Sequence, residues 1–408
     1  MRPVPGPGVA ASVRFGADQL GLILAALALA AVGSYLLTPL AIRFATRTGA
    51  IDMPDEGRRV HRLPIPRAGG IAVAASFVIV GSLAWLVAES TGLLRAVPDA
   101  SGNLRTLVDR IDAGQVSALM GGVILAAIFG FIDDRWQVRA RWQLLEQLIL
   151  AGVAIAGAIT IATLVNPLGF LGGTLGGTKL VLEPIPGEVS AVSLLVTTLW
   201  IVGMINSINF IDGLDGLSTG VSLFAAATLG IISLSGAWWN VQPVVALLCA
   251  ALAGALAGFL PWNFHPARVF IGTTGVYAVG FALAVLSILG TAKIAVALLV
   301  LGVPIIDTFW IIIRRLSQRR SPFTPDRGHF HHRLLDLGLT HRNAVLLIYL
   351  LCAILSVAAI LLSESAGTLY AFLGVVVGGG LVLYLFSRRA QEALDARSYP
   401  DEIRPDGA

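Results

Sequence analysis

Residues 189–217 read VSAVSLLVTTLWIVGMINSINFIDGLDGL. From Val189 to Ile211 no side chain is charged, which covers the roughly 20 residues a helix needs to cross a hydrocarbon core. The run then closes on Asn206, Asn209, Asp212 and Asp215, polar groups three residues apart along a slowly drifting helical stripe. Ordinary capping of a helix end uses one such residue, and Gly213 and Gly216 add turn capacity beyond a cap. Polar groups crowded at the end of an apolar span point to a binding or catalytic site.

The rest of the chain repeats the apolar half of this pattern. Of 408 residues, 56% are hydrophobic and 13% charged, against about 45–50% and about 25% in soluble domains, and the mean hydropathy is +0.83. A soluble enzyme and a disordered chain are both excluded. Cys249 and Cys352 sit inside apolar runs, so neither a disulfide framework nor a zinc site is indicated. Eleven stretches are apolar enough to span, at roughly 19–41, 70–90, 114–132, 142–165, 189–208, 218–236, 242–261, 275–291, 293–313, 344–363 and 367–387. The expected fold is an all-α polytopic membrane protein, with a single transmembrane domain over residues 1–387 and a short charged tail over 388–408. The first span follows Arg2 and Arg14 and contains an Ala-Leu-Ala step, as a cleaved signal would. Removing it would upset the charge pattern that follows.

With eleven spans, one side carries Arg2, Arg14, Arg95, Arg105, Arg110, Lys179 and Lys293, leaving 21 of the 28 lysines and arginines on the other. The positive-inside rule then places the N-terminus outside and the C-terminus in the cytoplasm. The same assignment gathers the remaining polar groups on the cytoplasmic side. These are Asp52, Asp55 and His61; Asp133 and Asp134; Asn206 to Asp215; Asn263 and His265; Asp307; and Asp326, His329, His331 and His332.

Each group has a plainer explanation. Asp133-Asp134 would serve as a solvated helix end, although two carboxylates there oppose the macrodipole unless Arg135, Arg139, Arg141 or a metal balances them. Asp307 would pair with Arg314 or Arg315, the histidines could be surface residues, and Gly69-Gly70 could form a tight turn into the second span. Together, however, clustered carboxylates suit a hard divalent cation, and arginines with histidines suit phosphate. A site at the membrane surface suits one soluble and one lipid substrate, which suggests metal-assisted phosphoryl transfer. A secondary transporter, the rival from another class, would hold its charges near the bilayer midplane.

From about residue 35 to 365 the chain resembles the polyprenyl-phosphate N-acetylhexosamine-1-phosphate transferases of glycosyl transferase family 4. The likeness rests on six ordered blocks. They are Asp52-x-Pro54 with Arg59-x-His61-x-x-Pro64-x-Pro66-x-x-Gly69-Gly70; Phe131-Ile132-Asp133-Asp134-Arg135; Asn206-x-x-Asn209-x-x-Asp212-Gly213-x-Asp215-Gly216; Asn263 with Pro266; Pro304-x-x-Asp307; and Ser321-Pro322-Phe323 running into His329-x-His331-His332. Phe330 separates this last block from the three consecutive histidines of the peptidoglycan branch and favours the UDP-N-acetylglucosamine branch.

The resemblance implies transfer of a sugar-1-phosphate from a UDP-sugar to undecaprenyl or decaprenyl phosphate, with release of UMP and a need for Mg²⁺ or Mn²⁺. It implies catalytic roles for Asp133, Asp134, Asp212 and Asp215, and metal contacts from Asp133, Asp134, Asp215 and Thr273. Substrate contacts are implied for Arg59, His61, Arg141, Asn206, Asn209, Asn263, Asp307, Arg315, His329, His331 and His332. Membrane lipid is the expected surrounding, no nucleic-acid partner is expected, and a homodimer stays open. There are two departures from the family pattern. Arg141 stands where the family usually has lysine, and Thr273, in Gly272-Thr273-Thr274-Gly275, stands where it has a metal-binding aspartate. The second departure keeps a non-catalytic family member, binding UDP-sugar or lipid, as the alternative. Reporter fusions at Ser90, Thr340 and the C-terminus test the topology. They are expected to read outside, inside and inside, and an outside signal at Thr340 would place the histidine segment away from any nucleotide sugar.

Overall fold

The computed structural model describes residues 15–53, 64–98, 104–106, 111–166, 179–183, 189–235, 241–290 and 338–362, with a few further residues at 297–298, 302, 334–335, 370–371, 373–375 and 377–378. Helix α1 (Ala17–Thr48) leads through a two-stranded ribbon, β1 (Ile51–Asp52) and β2 (Ile65–Pro66), into α2 (Gly70–Thr91). A second ribbon, β3 (Ala96–Pro98) with β4 (Leu104–Thr106), precedes α3 (Ala113–Trp136) and α4 (Ala140–Ala156). A third, β5 (Thr163–Val165) with β6 (Lys179–Val181), precedes α5 (Ala191–Ile211), α6 (Leu217–Leu234), α7 (Pro243–Asn263) and α8 (Gly272–Leu289). Helix α9 (His341–Leu362) is the last described in full.

Eight of these helices, all but α4, are long and apolar enough to cross a membrane, so the chain is a helical multi-pass membrane protein. The expected spans at 293–313 and 367–387, and the tail at 388–408, lie almost wholly outside the described residues. The all-helical expectation needs one addition, the three antiparallel ribbons between helices.

The span expected over 142–165 needs a correction. Helix α4 stops at Ala156 after 17 residues, a length of about 25 Å. The apolar composition continues, but Gly157 closes the helix against α3, where a Cβ would come within 2.3 Å of the Ala118 Cβ, and Ala158 takes φ 57°. Beyond it the Glu183 carboxylate accepts from Thr160 Oγ1 at 2.8 Å and from Ser193 Oγ at 2.6 Å. That arrangement fastens the chain to the β5–β6 ribbon and the start of α5.

Helices that are apolar all round belong inside a bundle, and α7 and α8 are buried on nearly every face. Helix α1 packs on α7 and α2, α3 and α5 on α8, and α6 on α7 and α9. Small residues permit the closest approaches, as helix association in lipid requires. A Cβ on Gly258 of α7 would lie 1.9 Å from the Ala31 carbonyl of α1. The same device sets the start of α8. A Cβ on Gly70 would lie 2.1 Å from the backbone of Gly275, and one on Gly130 would lie 2.3 Å from the Thr273 carbonyl. Gly69-Gly70 thus serves close helix approach as well as the turn that the sequence suggests.

Backbone pairing completes this junction. Phe270 N–H donates to the Pro66 carbonyl at 2.8 Å, and Gly69 and Gly70 N–H donate to Phe270 and Ile271 carbonyls at 3.0 and 2.9 Å. The ends of α3, α5 and α7 and the starts of α2, α6, α8 and α9 therefore meet at one end of the bundle. Gly130→Ala is expected to lower the thermal midpoint in detergent by forcing α3 off α8, at a cost of about 1–3 kcal/mol for overpacking. Gly121→Ala, on the same helix with open space around it, is expected to be neutral, and equal midpoints for the two variants would contradict this packing.

Candidate active site

The junction places Asp134 over the first turn of α8. Thr273 N–H donates to its Oδ1 at 2.9 Å, and Thr274 donates to its Oδ2 through N–H at 2.9 Å and through Oγ1 at 2.7 Å. Arg67 Nε stands 3.5 Å from Oδ1, on the strand-to-helix turn that pairs with residues 270–271. A carboxylate at a helix N-terminus meets both the dipole and free amide donors. This arrangement resolves the macrodipole conflict at the end of α3, because the charge unfavourable to α3 is favourable to α8.

Asp133 is equally buried and faces another way. Its Oδ1 accepts from Val138 N–H at 2.9 Å and from Gln143 Nε2 at 2.8 Å, while its Oδ2 accepts from Thr273 Oγ1 at 2.7 Å. The Thr273 side chain therefore touches the aspartate pair directly, and its oxygen keeps lone pairs to offer a cation.

Asp212 caps the end of α5, and Gly216, with φ 80°, turns the chain into α6. Ser218 Oγ donates to Asp212 Oδ1 at 2.6 Å. Burial pushes the Asp212 carboxyl up to about 6, the Ser218 hydrogen bond and the Arg67 charge pull against that, and Asp134 and Asp215 lie close enough to raise it further. Asp215 Oδ2 meets His265 Nδ1 at 2.7 Å and accepts from Ala267 N–H at 3.1 Å. Among the described residues, Asp212 Oδ2 and Asp215 Oδ1 accept no hydrogen bond.

Four aspartates thus converge, with the Arg67 guanidinium within electrostatic reach of Asp134 and Asp212. Two carboxylate oxygens without donors, one on an acid whose charge is penalised by burial, are ligands of the type a hard divalent cation takes. Carboxylates already engaged on both oxygens, such as Asp134, have less to offer one.

Other expected site residues have different partners. Asn206 Nδ2 donates to Gln147 Oε1 at 2.6 Å, and Gln147 Nε2 reaches Tyr277 Oη at 3.3 Å, so this amide joins α5, α4 and α8. Asn263 is buried, accepts from Thr219 Oγ1 at 2.6 Å and donates to the Val269 carbonyl at 3.0 Å, which fixes the turn between α7 and α8. Asn209 is half-buried and its carbonyl accepts the Asp212 N–H. Arg141 is exposed at the start of α4, stacked over Trp142 at 5.5 Å, and makes no ion pair with the aspartates among the described residues. Arg59, His61, Asp307, Arg315, His329, His331 and His332 lie outside the described residues.

Sequence reasoning missed the roles of Arg67, Gln143, Thr274 and His341. Arg67 counted only as cytoplasmic charge, although an arginine between Pro66 and Gly69-Gly70 is held in a turn. The doublet Thr273-Thr274 at a helix start was a legible anion-capping signal.

Comparison with known proteins gives the family. The pattern of glycosyl transferase family 4 matches residues 116–291, which carry all four aspartates. Over 341 residues the chain is 33% identical to the probable undecaprenyl-phosphate N-acetylglucosaminyl 1-phosphate transferase of Bacillus subtilis, covering 81% of this chain and 82% of that one. It is 34% identical over 351 residues to the decaprenyl-phosphate N-acetylglucosaminephosphotransferase of Mycolicibacterium smegmatis, covering 81% and 79%. It is 27% identical over 349 residues to the undecaprenyl-phosphate alpha-N-acetylglucosaminyl 1-phosphate transferase of Escherichia coli K12, covering 82% and 83%. The chain therefore belongs to glycosyl transferase family 4, among the polyprenyl-phosphate N-acetylhexosamine-1-phosphate transferases.

Proposed function

We propose that the chain transfers N-acetylglucosamine 1-phosphate from a UDP-sugar to a polyprenyl phosphate at the cytoplasmic face of the cell membrane. UMP is released, and a lipid-linked cell-wall or surface polysaccharide is begun. The names of the relatives support the sugar and the acceptor, and the division of loop charge supports the face. The observation that carries the chemistry is the pair of donor-free oxygens, Asp212 Oδ2 and Asp215 Oδ1, with Asp212 within electrostatic reach of Arg67.

In this reaction an oxygen of the lipid phosphate attacks the phosphorus that carries the sugar. The bond from that phosphorus to the bridging oxygen breaks, and UMP leaves with the bridging oxygen. A bound Mg²⁺, or Mn²⁺ in its place, would neutralise charge on the diphosphate. Asp212 and Asp215 would hold it, and Asp133 and the Thr273 hydroxyl, 2.7 Å apart, are further candidates. Asp133 is suited to take the last proton of the lipid phosphate, because the donor on its Oδ2 is a hydroxyl that can rotate away. Asp134 sets the position of α8 and Arg67. The segment with His329, His331 and His332, together with Arg59, His61 and Arg315, is assigned the sugar and diphosphate by family resemblance.

A second reading, a member that binds UDP-sugar without turnover, is favoured by the neutral Thr273. Turnover of UDP-N-acetylglucosamine with decaprenyl phosphate and Mg²⁺ decides between them. Asp133→Asn, Asp212→Asn and Asp215→Asn should each lose about 10²–10³ in rate while still inserting and purifying. Near-normal rates in Asp133→Asn and Asp215→Asn alike would be incompatible with the assigned roles.

Thr273→Asp is expected to have opposite effects with and without cation. The new carboxylate would face Asp133 Oδ2, which Thr273 Oγ1 meets at 2.7 Å, so the cation-free protein should melt earlier. Added ligand charge raises cation affinity, so its Mg²⁺ dependence should shift to lower concentration. Superimposable Mg²⁺ curves would remove position 273 from the metal site.

A further inference from the structure

Asp215 lies in a turn, where a side chain is held only as well as its contacts hold it, yet two separated parts of the chain converge on it. His341, the first residue of α9, presents Nε2 as acceptor to the Asp215 backbone N–H at 2.8 Å. An imidazole nitrogen that accepts an amide proton carries none itself, so the His341 ring is neutral with its proton on Nδ1. His265, beyond the end of α7, lies flat against that ring, with centroids 4.3 Å apart and planes 17° from parallel. The stack fixes the direction of His265 Nδ1, which donates to Asp215 Oδ2 at 2.7 Å, and Ala267 N–H makes a second bond to the same oxygen at 3.1 Å. Tyr349, two turns along α9, donates its hydroxyl to the Gly216 carbonyl and ties the next residue of the turn to the same helix.

Oδ2 is therefore committed to two donors, which fixes the plane of the carboxylate and leaves Oδ1 as its one oxygen without a hydrogen bond among the described residues. Asp215 Oδ2, His265 Nδ1 and a His341 ring nitrogen all lie within 4.8 Å of one another, a spacing that would also suit a cation held by the two imidazoles themselves. Their own bonds argue against that. The Asp215–His265 separation of 2.7 Å is hydrogen-bond distance, and His341 Nε2 is filled by an amide. The buried His341 Nδ1, which has no hydrogen-bond partner among the described residues, carries the ring proton and so offers no lone pair.

We infer that His265 and His341 are positioning residues: stacked on each other, they orient Asp215 so that its Oδ1 faces the cation and diphosphate. The inference rests on the assignment of Asp215 to the cation made above. It explains why the start of α9 is fastened to the aspartate turn. Carboxylate orientation is a sensitive quantity, because partners of this kind commonly contribute about 10–100-fold in metal affinity or activity.

The test is Mn²⁺ affinity by electron paramagnetic resonance on the purified full chain with UMP, alongside turnover. His265→Ala is expected to weaken Mn²⁺ about 10-fold or more. His265→Asn, whose amide nitrogen replaces the Nδ1 donor, should restore most of that loss. His341→Phe keeps the stack but not the acceptor and should weaken Mn²⁺, whereas His341→Gln, which offers a carbonyl oxygen but no ring, should recover part of that loss. Adding His265→Ala to Asp215→Asn should cost nothing further, since the ring acts through the carboxylate.

Wild-type affinity in His265→Ala overturns the inference, and so does equal weakness in His265→Ala and His265→Asn, which would make the ring mere packing. If Asp215→Asn alone leaves Mn²⁺ affinity unchanged, the assignment of Asp215 fails and takes the inference with it. If the Mn²⁺ pattern appears as expected but wild type shows no turnover, the proposed reaction fails while the positioning role stands.

Discussion

Inside an apolar bundle, the first turn of α8 has backbone N–H groups that no helical carbonyl satisfies, and the buried carboxylate of Asp134 meets two of them together with the Thr274 hydroxyl. A buried donor left without a partner costs about 1–3 kcal/mol, and a charge left unpaired costs more. Neither α3 nor α8 could end here without the other. Gly130 allows the approach, Arg67 brings the compensating charge, and the backbone pairing of residues 66–70 with 270–271 holds Arg67 in place. The other functional groups are placed relative to this joint. Asp133 follows because it precedes Asp134 on the same helical end, and Thr273 follows because it opens α8.

The joint also explains a division of labour among four similar side chains. Asp134 is saturated by fixed donors, which suits a structural anion. Asp133 is held on one oxygen by Val138 and Gln143 and on the other by a rotatable hydroxyl. Asp212 and Asp215 each keep one oxygen clear. The order from Asp134 to Asp215 is one of increasing availability to a ligand, and it arises from what each carboxylate touches. Thr273 fits the same scheme. A neutral hydroxyl beside Asp133 spares the pocket a fifth negative charge, at the expense of ligand strength toward a cation.

Much of this was legible in the sequence, because the bilayer imposes simple demands. Runs such as 189–211 must be helices, and acids at their ends must have a reason to be there. The end of α4 was not legible. Residues 158–165 remain apolar, so composition extends the helix, whereas the turn depends on Gly157 meeting Ala118 and on Glu183 bonding Thr160 and Ser193, contacts between distant parts of the chain. The same limit applies to Asn206 and Asn263. Their type and position fit a site, but their partners, Gln147 and Thr219, stand 59 and 44 residues away and make them helix-to-helix bridges. Arg67 and His341 were hidden for the converse reason. Each carries an unremarkable local pattern and gains its place only when α8 or the Asp215 turn arrives beside it.

The central claim is that the cation belongs to Asp212 and Asp215, with Asp134 reserved for the helix joint. Anomalous scattering from Mn²⁺ in crystals grown with UMP would locate the ion directly. A peak at about 2.0–2.3 Å from Asp212 Oδ2 and Asp215 Oδ1, with Asp134 still bonded to the α8 amides, is the predicted result. A peak coordinated by Asp134, or one seated between the His265 and His341 rings, would contradict the account.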